Sequence, residues 1–177
     1  MQEKQISAKH FLILGFLSII WGSSFILIKK ALIAFPPIEL ACMRIAISAL
    51  AFAPILYYHR ENIPWHKWKT FLAVGITGSG VPAFMYFIAQ THIDSLISGL
   101  LNSLTPIWTL IIGIWIFKNQ FDKNKLLGVV IGFVGAALLM VFSDSSGSNT
   151  NLWYGLFVVV GTVCYGMSGN LVKHHFQ

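Results

Sequence analysis

The polar side chains that interrupt the apolar stretches of this chain are the groups best placed to do chemistry. In the stretch Ser95–Phe117 they recur every three or four residues, which puts them on one face of a helix: Ser98, Asn102, Thr105, Thr109 and Gly113. Pro106 has no amide hydrogen to donate to the carbonyl of Asn102, four residues earlier. Asn102 would therefore present both its side-chain amide and an unpaired carbonyl.

This polar face has two interpretations. It could line a cavity that binds a solute, as the broken helices of transporters do. It could instead form a close seam between helices, built from small residues and interhelical hydrogen bonds. The cavity is favoured, because a carbonyl freed by proline inside a membrane needs water or a ligand as its partner. In the fifth stretch, by contrast, Gly128, Gly132 and Gly135 form a ridge for which close helix packing is expected.

Arg44 is the basic residue that lies within an apolar stretch, about 9 Å along the helix predicted for Ile38–Tyr58 at about 1.5 Å per residue. Charges within a membrane are costly and usually face a cavity or a partner. Glu39, five residues earlier, falls on another face of the helix and is a poor partner. Arg44 could bind an anion or act as a gating charge at a cavity mouth, or it could extend its guanidinium to the near interface.

Further polar and aromatic groups lie in the first and third apolar stretches. Tyr86 and Gln90 are four residues apart and share a helix face, in a stretch that Pro82 is expected to bend. Trp21 and Ser24 lie within the first stretch. The predicted substrate pathway is lined by six residues: Trp21, Ser24, Arg44, Tyr86, Asn102 and Pro106.

The sequence does not indicate enzymatic or metal chemistry. Ser79 and His92 could supply an intramembrane serine protease, but His92 lies at a helix end and Ser79 has no visible base. His174 and His175 lack the cysteine or carboxylate partners of a metal site. Zinc-protease, phosphate-loop and paired-cysteine motifs are absent, and neither Asp nor Glu lies deep in a span. We therefore predict no enzyme, no metal and no cofactor.

The elements that must position these groups are membrane-spanning helices. The chain is 56% hydrophobic and 10% charged, whereas about 25% of the residues of soluble domains are charged. Stretches long enough to cross a hydrocarbon core about 30 Å thick are Phe11–Ile28, Ile38–Tyr58, Phe71–Thr91, Ser95–Phe117, Leu126–Ser143 and Leu152–Val172. The predicted fold class is all-α: a polytopic helical membrane protein with about six transmembrane helices in a lipid bilayer.

The basic residues encode orientation. If the N-terminus is cytoplasmic, nine Lys and Arg side chains fall on the cytoplasmic side and two, Lys29 and Lys30, on the other. Such a bias is what the positive-inside rule requires. The net charge of +6 therefore predicts a cytoplasmic N-terminus and no nucleic-acid partner.

The first span begins again near the end of the chain. Residues Trp21–Lys29 align with Tyr165–Lys173 at a constant offset of 144, with identical Gly, Ser, Leu and Lys. An odd number of spans separates the two starts, so the second copy enters the bilayer from the opposite side, as in inverted-repeat transporters. We predict a first five-helix repeat at 11–142, a polar linker at 143–151, and the first helix of an inverted second repeat at 152–177.

These features together resemble the EamA-type permeases of the drug/metabolite transporter superfamily. The residues that carry the resemblance are Trp21-Gly22-Ser23-Ser24-Phe25, Pro37 followed by Arg44, and Ser103-Leu104-Thr105-Pro106. Members of this family are ten-helix carriers built from two inverted five-helix repeats. They move amino acids, other metabolites or toxic compounds across the plasma membrane. The family often has a Glu directly after the fourth helix, where this chain has Asn119.

The resemblance implies a secondary transporter, or a fragment of one, that moves a small metabolite, amino acid or drug-like compound across the plasma membrane by alternating access. The chain ends at Gln177, after the sixth span. Truncation is expected rather than a half-size subunit that pairs, because the charge bias fixes a single orientation. The implied partners are a small-molecule substrate and a second half or partner membrane chain. The alternative function is a non-transporting membrane subunit or an inert truncated product.

Overall fold

The structure, a computed structural model, describes residues 8–120, 123–142 and 151–176, and the regular elements in those ranges are all helical. The helices are α1 (Ala8–Ala31), α2 (Pro37–Tyr58), α3 (Trp68–Gly75), α4 (Val81–Gln90), α5 (Ser95–Asn102), α6 (Thr105–Trp115), α7 (Lys123–Phe142) and α8 (Gly155–Phe176). Short 3-10 turns lie at Arg60–Asn62, Trp65–Lys67 and Leu152–Tyr154. The predicted all-α fold is confirmed.

Five segments of the described chain are long and apolar enough to cross a membrane. They are Lys9–Ala31, Pro37–Tyr58, Trp65–Gln90, Ser95–Trp115 and Gly155–Phe176. The helix α7 contributes a shorter apolar run, Leu126–Gly135. The third and fourth segments each combine two helices, so the eight helices form six segments of a polytopic membrane protein: five candidate spans, and α7, which is numbered as the fifth span in chain order.

The third span is irregular where glycine and proline meet. A π-helical turn, Ile76–Gly80, joins α3 to α4, and the amide of Val81 donates to the carbonyl of Ile76, five residues back. Pro82 lies in the first turn of α4, where its missing amide hydrogen is tolerated. The irregularity expected at Pro82 is therefore present, as a π-helical turn immediately before it. Such turns are frequent at functional sites.

The fourth span is broken at the position that Pro106 predicts. Asn102 ends α5 and Thr105 begins α6. Between them, the amides of Ser103 and Leu104 donate to carbonyls only three residues back, at 2.9 and 3.1 Å. The tight turn fits this position, because Pro106 cannot continue an α-helical hydrogen-bond ladder from Asn102.

Helix α8 is the central element of the bundle. It contacts α3, α4, α5 and α6, whereas α2 packs on α4, and α1 packs on α5 and α4. The buried positions of α8 are mostly small or polar: Gly155, Val158, Gly161, Thr162, Gly166, Ser168 and Asn170. Lipid tails are as apolar as leucine, so helices in a membrane associate through close packing and interhelical hydrogen bonds. Both features hold α8 in place.

Two apolar clusters fill the bundle on either side of α4. One contains Tyr86, Ala89, Ile93, Ile97 and Val158 and links the third, fourth and sixth spans. The other contains Ala41, Ala83 and Phe87, between α2 and α4. In contrast, α1 lies at the edge, and none of its apolar window is buried.

Two lysines form hydrogen bonds that connect helix ends to neighbouring elements. Lys29, near the end of α1, donates from Nζ to the carbonyls of Gln90 and Ile93, both at 2.9 Å. Lys67, just before α3, donates from Nζ to the carbonyl of His175 at 2.6 Å. The last carbonyls of a helix have no partner within that helix, and a cation there also interacts favourably with the helix dipole. These contacts connect α1 to the end of α4, and α3 to the end of α8.

The glycine ridge of α7 does not pack as expected. A methyl group added at Gly128, Gly132 or Gly135 would meet no described atom within 4 Å. The expectation of close helix packing at this ridge was therefore wrong, because the neighbouring helices do not approach it. Gly128 and Gly132 instead line a cavity.

The predicted linker, 143–151, lies outside the described residues except for Asn151. The amide of Asn151 donates to the carbonyl of His92 at 3.2 Å, which ties the start of the sixth span to the connection between the third and fourth. The division of the chain into repeats stays a prediction.

Candidate functional site

A cavity of about 1090 Å³ lies where the six spans meet. Its walls include all six residues predicted to line a substrate pathway: Trp21, Ser24, Arg44, Tyr86, Asn102 and Pro106. The remaining walls are mostly apolar or small side chains. The structure therefore brings the six residues together around one space, and their part in transport remains to be tested.

Asn102 is the hydrogen-bonding centre of the cavity wall. The hydroxyl of Tyr86 donates to Asn102 Oδ1 at 2.5 Å, and the hydroxyl of Thr105 approaches the same oxygen at 3.5 Å. No described residue accepts a hydrogen bond from Asn102 Nδ2. The α5–α6 break places this amide beside the cavity, so its two N–H groups can serve a solute.

The polar face of the fourth span divides into three parts. Asn102, Thr105 and Thr109 line the cavity. Ser98 is buried one turn earlier, where its hydroxyl accepts from Gln90 Nε2 at 3.4 Å. Gly113 is buried at the other end, against asparagine side chains. The two interpretations of this face therefore apply to different residues: its middle is open to the cavity, and its ends are packed.

Gln90 belongs to the packed part of the bundle. Its side chain is fully buried, and its Oε1 has no hydrogen-bond partner among the described residues. It shares α4 with Tyr86, as their spacing predicts, but the cavity walls include Tyr86 and not Gln90.

Arg44 stands between two cavities. It lines the large one and also a second of about 380 Å³, bounded by α2 and the π-helical turn. Its side chain is exposed, and Tyr86 and Tyr165 line the large cavity with it. Arg44 forms no ion pair within the described part of the chain, and Glu39 lines neither cavity. Its charge therefore faces the cavities uncompensated.

Aromatic rings form much of the remaining wall. The Phe25 and Tyr86 ring centroids are 6.1 Å apart, and those of Tyr86 and Tyr165 are 5.9 Å apart. Trp21 lines the same cavity and is 67% exposed. Trp21 and Tyr165 occupy equivalent positions in the two copies of the repeated motif, and both lie at the cavity.

The serines of the repeated motif have different surroundings. Ser24 lines the cavity, and its hydroxyl donates to the carbonyl of Trp21 at 2.7 Å. Ser168, its counterpart, is buried and donates to the carbonyl of Val74 at 3.5 Å. Ser168 therefore joins helices, whereas Ser24 contributes to the site.

An asparagine pair beside the site was not predicted to have a role. Asn170 Nδ2 donates to the carbonyls of Thr109 and Gly166 at 2.8 and 2.9 Å. Asn119 Nδ2 donates to Asn170 Oδ1 at 3.1 Å. The pair ties α8 to the middle of α6 and to the segment that follows α6. The available indication in the sequence was an amide side chain within the apolar part of the sixth span, where it needs a hydrogen-bond partner.

The arrangement supports binding and offers little for covalent catalysis. Ser79 is exposed, and the ring of His92 stacks on Tyr154 with centroids 3.7 Å apart. Within the described residues, no group of three or more His, Cys, Asp and Glu could hold a metal ion. A guanidinium, a phenol, an amide and hydroxyls around an open cavity are groups that can bind a solute through charge and hydrogen bonds.

Known proteins related to this chain are transporters. The chain is 30% identical, over 88% of its length and 54% of the relative's, to an uncharacterized transporter of Archaeoglobus fulgidus. It is 26% identical to the uncharacterized transporter YyaM of Bacillus subtilis, over 92% and 54% of the two chains. It is also 26% identical to a probable amino-acid metabolite efflux pump of Salmonella typhimurium, over 71% and 42%. The chain thus spans about half the length of the curated relatives it matches.

No solved structure matches the chain. The sequence pattern that defines the EamA-like transporter family matches residues 10–141, which contain α2 to α6 and nearly all of α1 and α7. This match covers well over half of the 177 residues and includes five of the six spans. The resemblance inferred from the sequence is confirmed: the chain belongs to the EamA-like transporter family.

Proposed function

We propose that this chain is a secondary transporter, or the first part of one, that moves a small metabolite, amino acid or drug-like compound across the plasma membrane by alternating access. The observation that carries the proposal is the cavity itself. Its walls contain the polar residues in the middle of the fourth span, the hydroxyl of Tyr86 and the guanidinium of Arg44, where the spans meet. A cavity that presents several polar groups inside a membrane protein is the expected form of a solute pathway.

The broken fourth span supports this role. Helix interruption inside a membrane is tolerated where the backbone lines a cavity or is covered by protein. Here the break separates Asn102 from Thr105, and both residues line the cavity. The irregular third span adds Gly78 to the same walls. Two irregular helices that meet at one cavity are typical of sites that must bind and then release a substrate.

The relatives support the class of substrate. One relative is named a probable amino-acid metabolite efflux pump. We propose that the substrate of the present chain has a similar size. The domain proposal follows the internal repeat: 11–142 as a first unit, and 152–177 as the first helix of an inverted second unit. Alternating access would then require a second half or a partner membrane chain, whose spans would complete the cavity walls.

Transport by reconstituted protein tests the proposal. Purified chain, reconstituted in liposomes with the second half or partner chain that completes the cavity, is expected to take up radiolabelled amino acids or their metabolites above the level of empty liposomes. Asn102→Leu is expected to lower that uptake at least about tenfold, because it removes the amide and leaves the Tyr86 hydroxyl without its acceptor. Asn62→Leu makes the same chemical change at an exposed position outside the cavity and should transport normally.

Both variants should first be shown to be monodisperse and to unfold at the temperature of the unaltered protein. Uptake no greater than that of empty liposomes for every compound tried would reject transport by this chain and favour a non-transporting membrane subunit. Equal uptake by the two variants would reject Asn102 as a pathway residue.

A further inference from the structure

We propose that the cavity selects small organic anions, and that Arg44 is the residue that binds the anionic group. This inference rests on the proposed transport function and specifies the chemistry of its substrate: a carboxylate or similar anion attached to an apolar, preferably aromatic, body. Four observations carry it, namely the position of Arg44, the balance of charge around it, the aromatic wall and the unused donors of the cavity.

The position of Arg44 makes it accessible to a solute. Three residues are common to the walls of the large and the small cavity: Arg44, Gly78 and Tyr165. Arg44 therefore lies where the two spaces adjoin, within the length of α2 rather than at its end. A guanidinium at such a place can bind a ligand that enters from the large cavity.

The charge of Arg44 is not balanced by any described residue of the cavity walls. The described walls of both cavities contain neither Asp nor Glu, and Arg44 is the charged side chain among them. The acidic residue nearest in sequence, Glu39, lines neither cavity. An unpaired charge inside a membrane is costly, and a bound anion would offset that cost. A cationic ligand would be repelled by the same group.

The aromatic wall suits the body of such a ligand. Phe25, Tyr86 and Tyr165 form a chain of neighbouring rings with centroid separations of 6.1 and 5.9 Å. Trp21 faces the same cavity. Flat apolar groups pack well against such rings, and a volume of about 1090 Å³ is enough for a drug-sized molecule.

The unused donors of the cavity favour an acceptor-rich ligand. Asn102 Oδ1 is occupied by the Tyr86 hydroxyl, whereas Asn102 Nδ2 has no acceptor among the described residues. Arg44 likewise donates no hydrogen bond to a described residue. A carboxylate accepts hydrogen bonds and donates none when ionised. Its oxygens would match the guanidinium in a bidentate, charge-assisted pair.

Three probes of nearly equal size test the charge preference: phenylacetate, phenylacetamide and phenethylamine. Binding of each radiolabelled probe to the purified chain of 177 residues is measured by equilibrium dialysis. Phenylacetate is expected to bind at least about tenfold more tightly than the neutral amide, because only the anion forms the charge-assisted pair. Phenethylamine is expected to bind most weakly.

Substitutions of Arg44, with Arg60 as a control, test whether Arg44 causes the preference for the anion. Arg44→Gln should remove the advantage of phenylacetate over phenylacetamide, and Arg44→Lys should keep part of it. Arg60→Gln is the matched control, because Arg60 lies beyond the end of α2 with its guanidinium 4.9 Å from the centroid of the Tyr57 ring. This control should retain the full preference.

Equal binding of the three probes to the unaltered chain would overturn the proposal, whether or not any variant folds. So would a preference for phenylacetate that survives Arg44→Gln. Failure here is distinguishable from failure of the transport proposal. A chain that takes up amino acids or their metabolites into liposomes without charge preference would still be a transporter, with a site that does not select anions.

Discussion

Replacing Gly166 with alanine is expected to destabilise the protein strongly, although it adds one methyl group. That methyl carbon would lie 2.9 Å from the amide nitrogen of Thr109 and 3.0 Å from the carbonyl carbon of Trp108. Both are backbone atoms of α6, which cannot move aside as a side chain can. Overpacking of this kind typically costs about 1–3 kcal/mol. The expected result is a lower unfolding temperature in detergent and a lower yield of monodisperse protein.

Gly169→Ala provides the matched control on the same helix. A methyl group at Gly169 would have no described atom within 4 Å. Alanine is favoured over glycine within a helix by about 0.5–1 kcal/mol, so this variant should be as stable as the unaltered protein or slightly more stable. Equal unfolding temperatures for the two variants would show that α8 does not pack on α6 as described.

Asn170→Leu is expected to produce the second large loss of stability. Asn170 is 4% exposed and connects to three groups: the carbonyls of Thr109 and Gly166, and the amide of Asn119. Leucine has the same branching at Cγ but satisfies none of them. Interhelical hydrogen bonds in membranes contribute about 0.6–2 kcal/mol each. Asn170→Leu should therefore lower the free energy of unfolding by more than the contribution of a single hydrogen bond.

Comparison with Asn119→Ala distinguishes the loss of these hydrogen bonds from a general disturbance of helix packing. Asn119→Ala removes one hydrogen bond at a half-buried position, so its effect on unfolding temperature should be smaller than that of Asn170→Leu. Thermal unfolding followed by circular dichroism gives both values. A larger effect for Asn119→Ala than for Asn170→Leu would contradict the central position of Asn170.

Local chemistry made the helix breaks predictable. The missing amide of Pro106 places the interruption of the fourth span after Asn102, where α5 ends. The third span shows the limit of this reasoning. Pro82 indicates that the helix must adjust, but the π-helical turn at Ile76–Gly80 is one of several ways to do so. The choice depends on how α4 packs against α2 and α8, which the local sequence does not specify.

Contacts between distant parts of the chain were harder to predict. The six pathway residues line one cavity. Most of them are polar or charged residues in otherwise apolar spans, and such residues tend to face the interior of a helical bundle rather than lipid. The pairing of Asn119 with Asn170 joins positions 51 residues apart. It becomes apparent only when α8 is placed against α6. The same holds for the two capping lysines, Lys29 and Lys67.

The repeated motif shows that similar residues can have different surroundings. Gly22 and Gly166 are equivalent in the alignment of the two copies, yet a methyl group at Gly22 would meet nothing within 4 Å, whereas one at Gly166 would meet the α6 backbone. The repeated motif predicts that α1 and α8 are equivalent helices of two repeats. Their packing depends on the neighbours present: α1 lies at the edge of the bundle and α8 at its centre.

The central claim, that the polar face of the fourth span lines a water-filled pathway, is tested most directly by thiol labelling. Cys42 and Cys164 are replaced by serine, and a single cysteine is placed at Thr105, in the cavity wall, or at Ile19, in the middle of α1, 71% exposed and outside that wall. Membranes that contain each variant are treated with a charged, membrane-impermeant thiol reagent from either face. The account predicts that the cysteine at position 105 reacts from at least one face, while that at position 19 is protected by lipid. A cysteine at position 105 that remains unreactive from both faces, in a protein that folds normally, would contradict it.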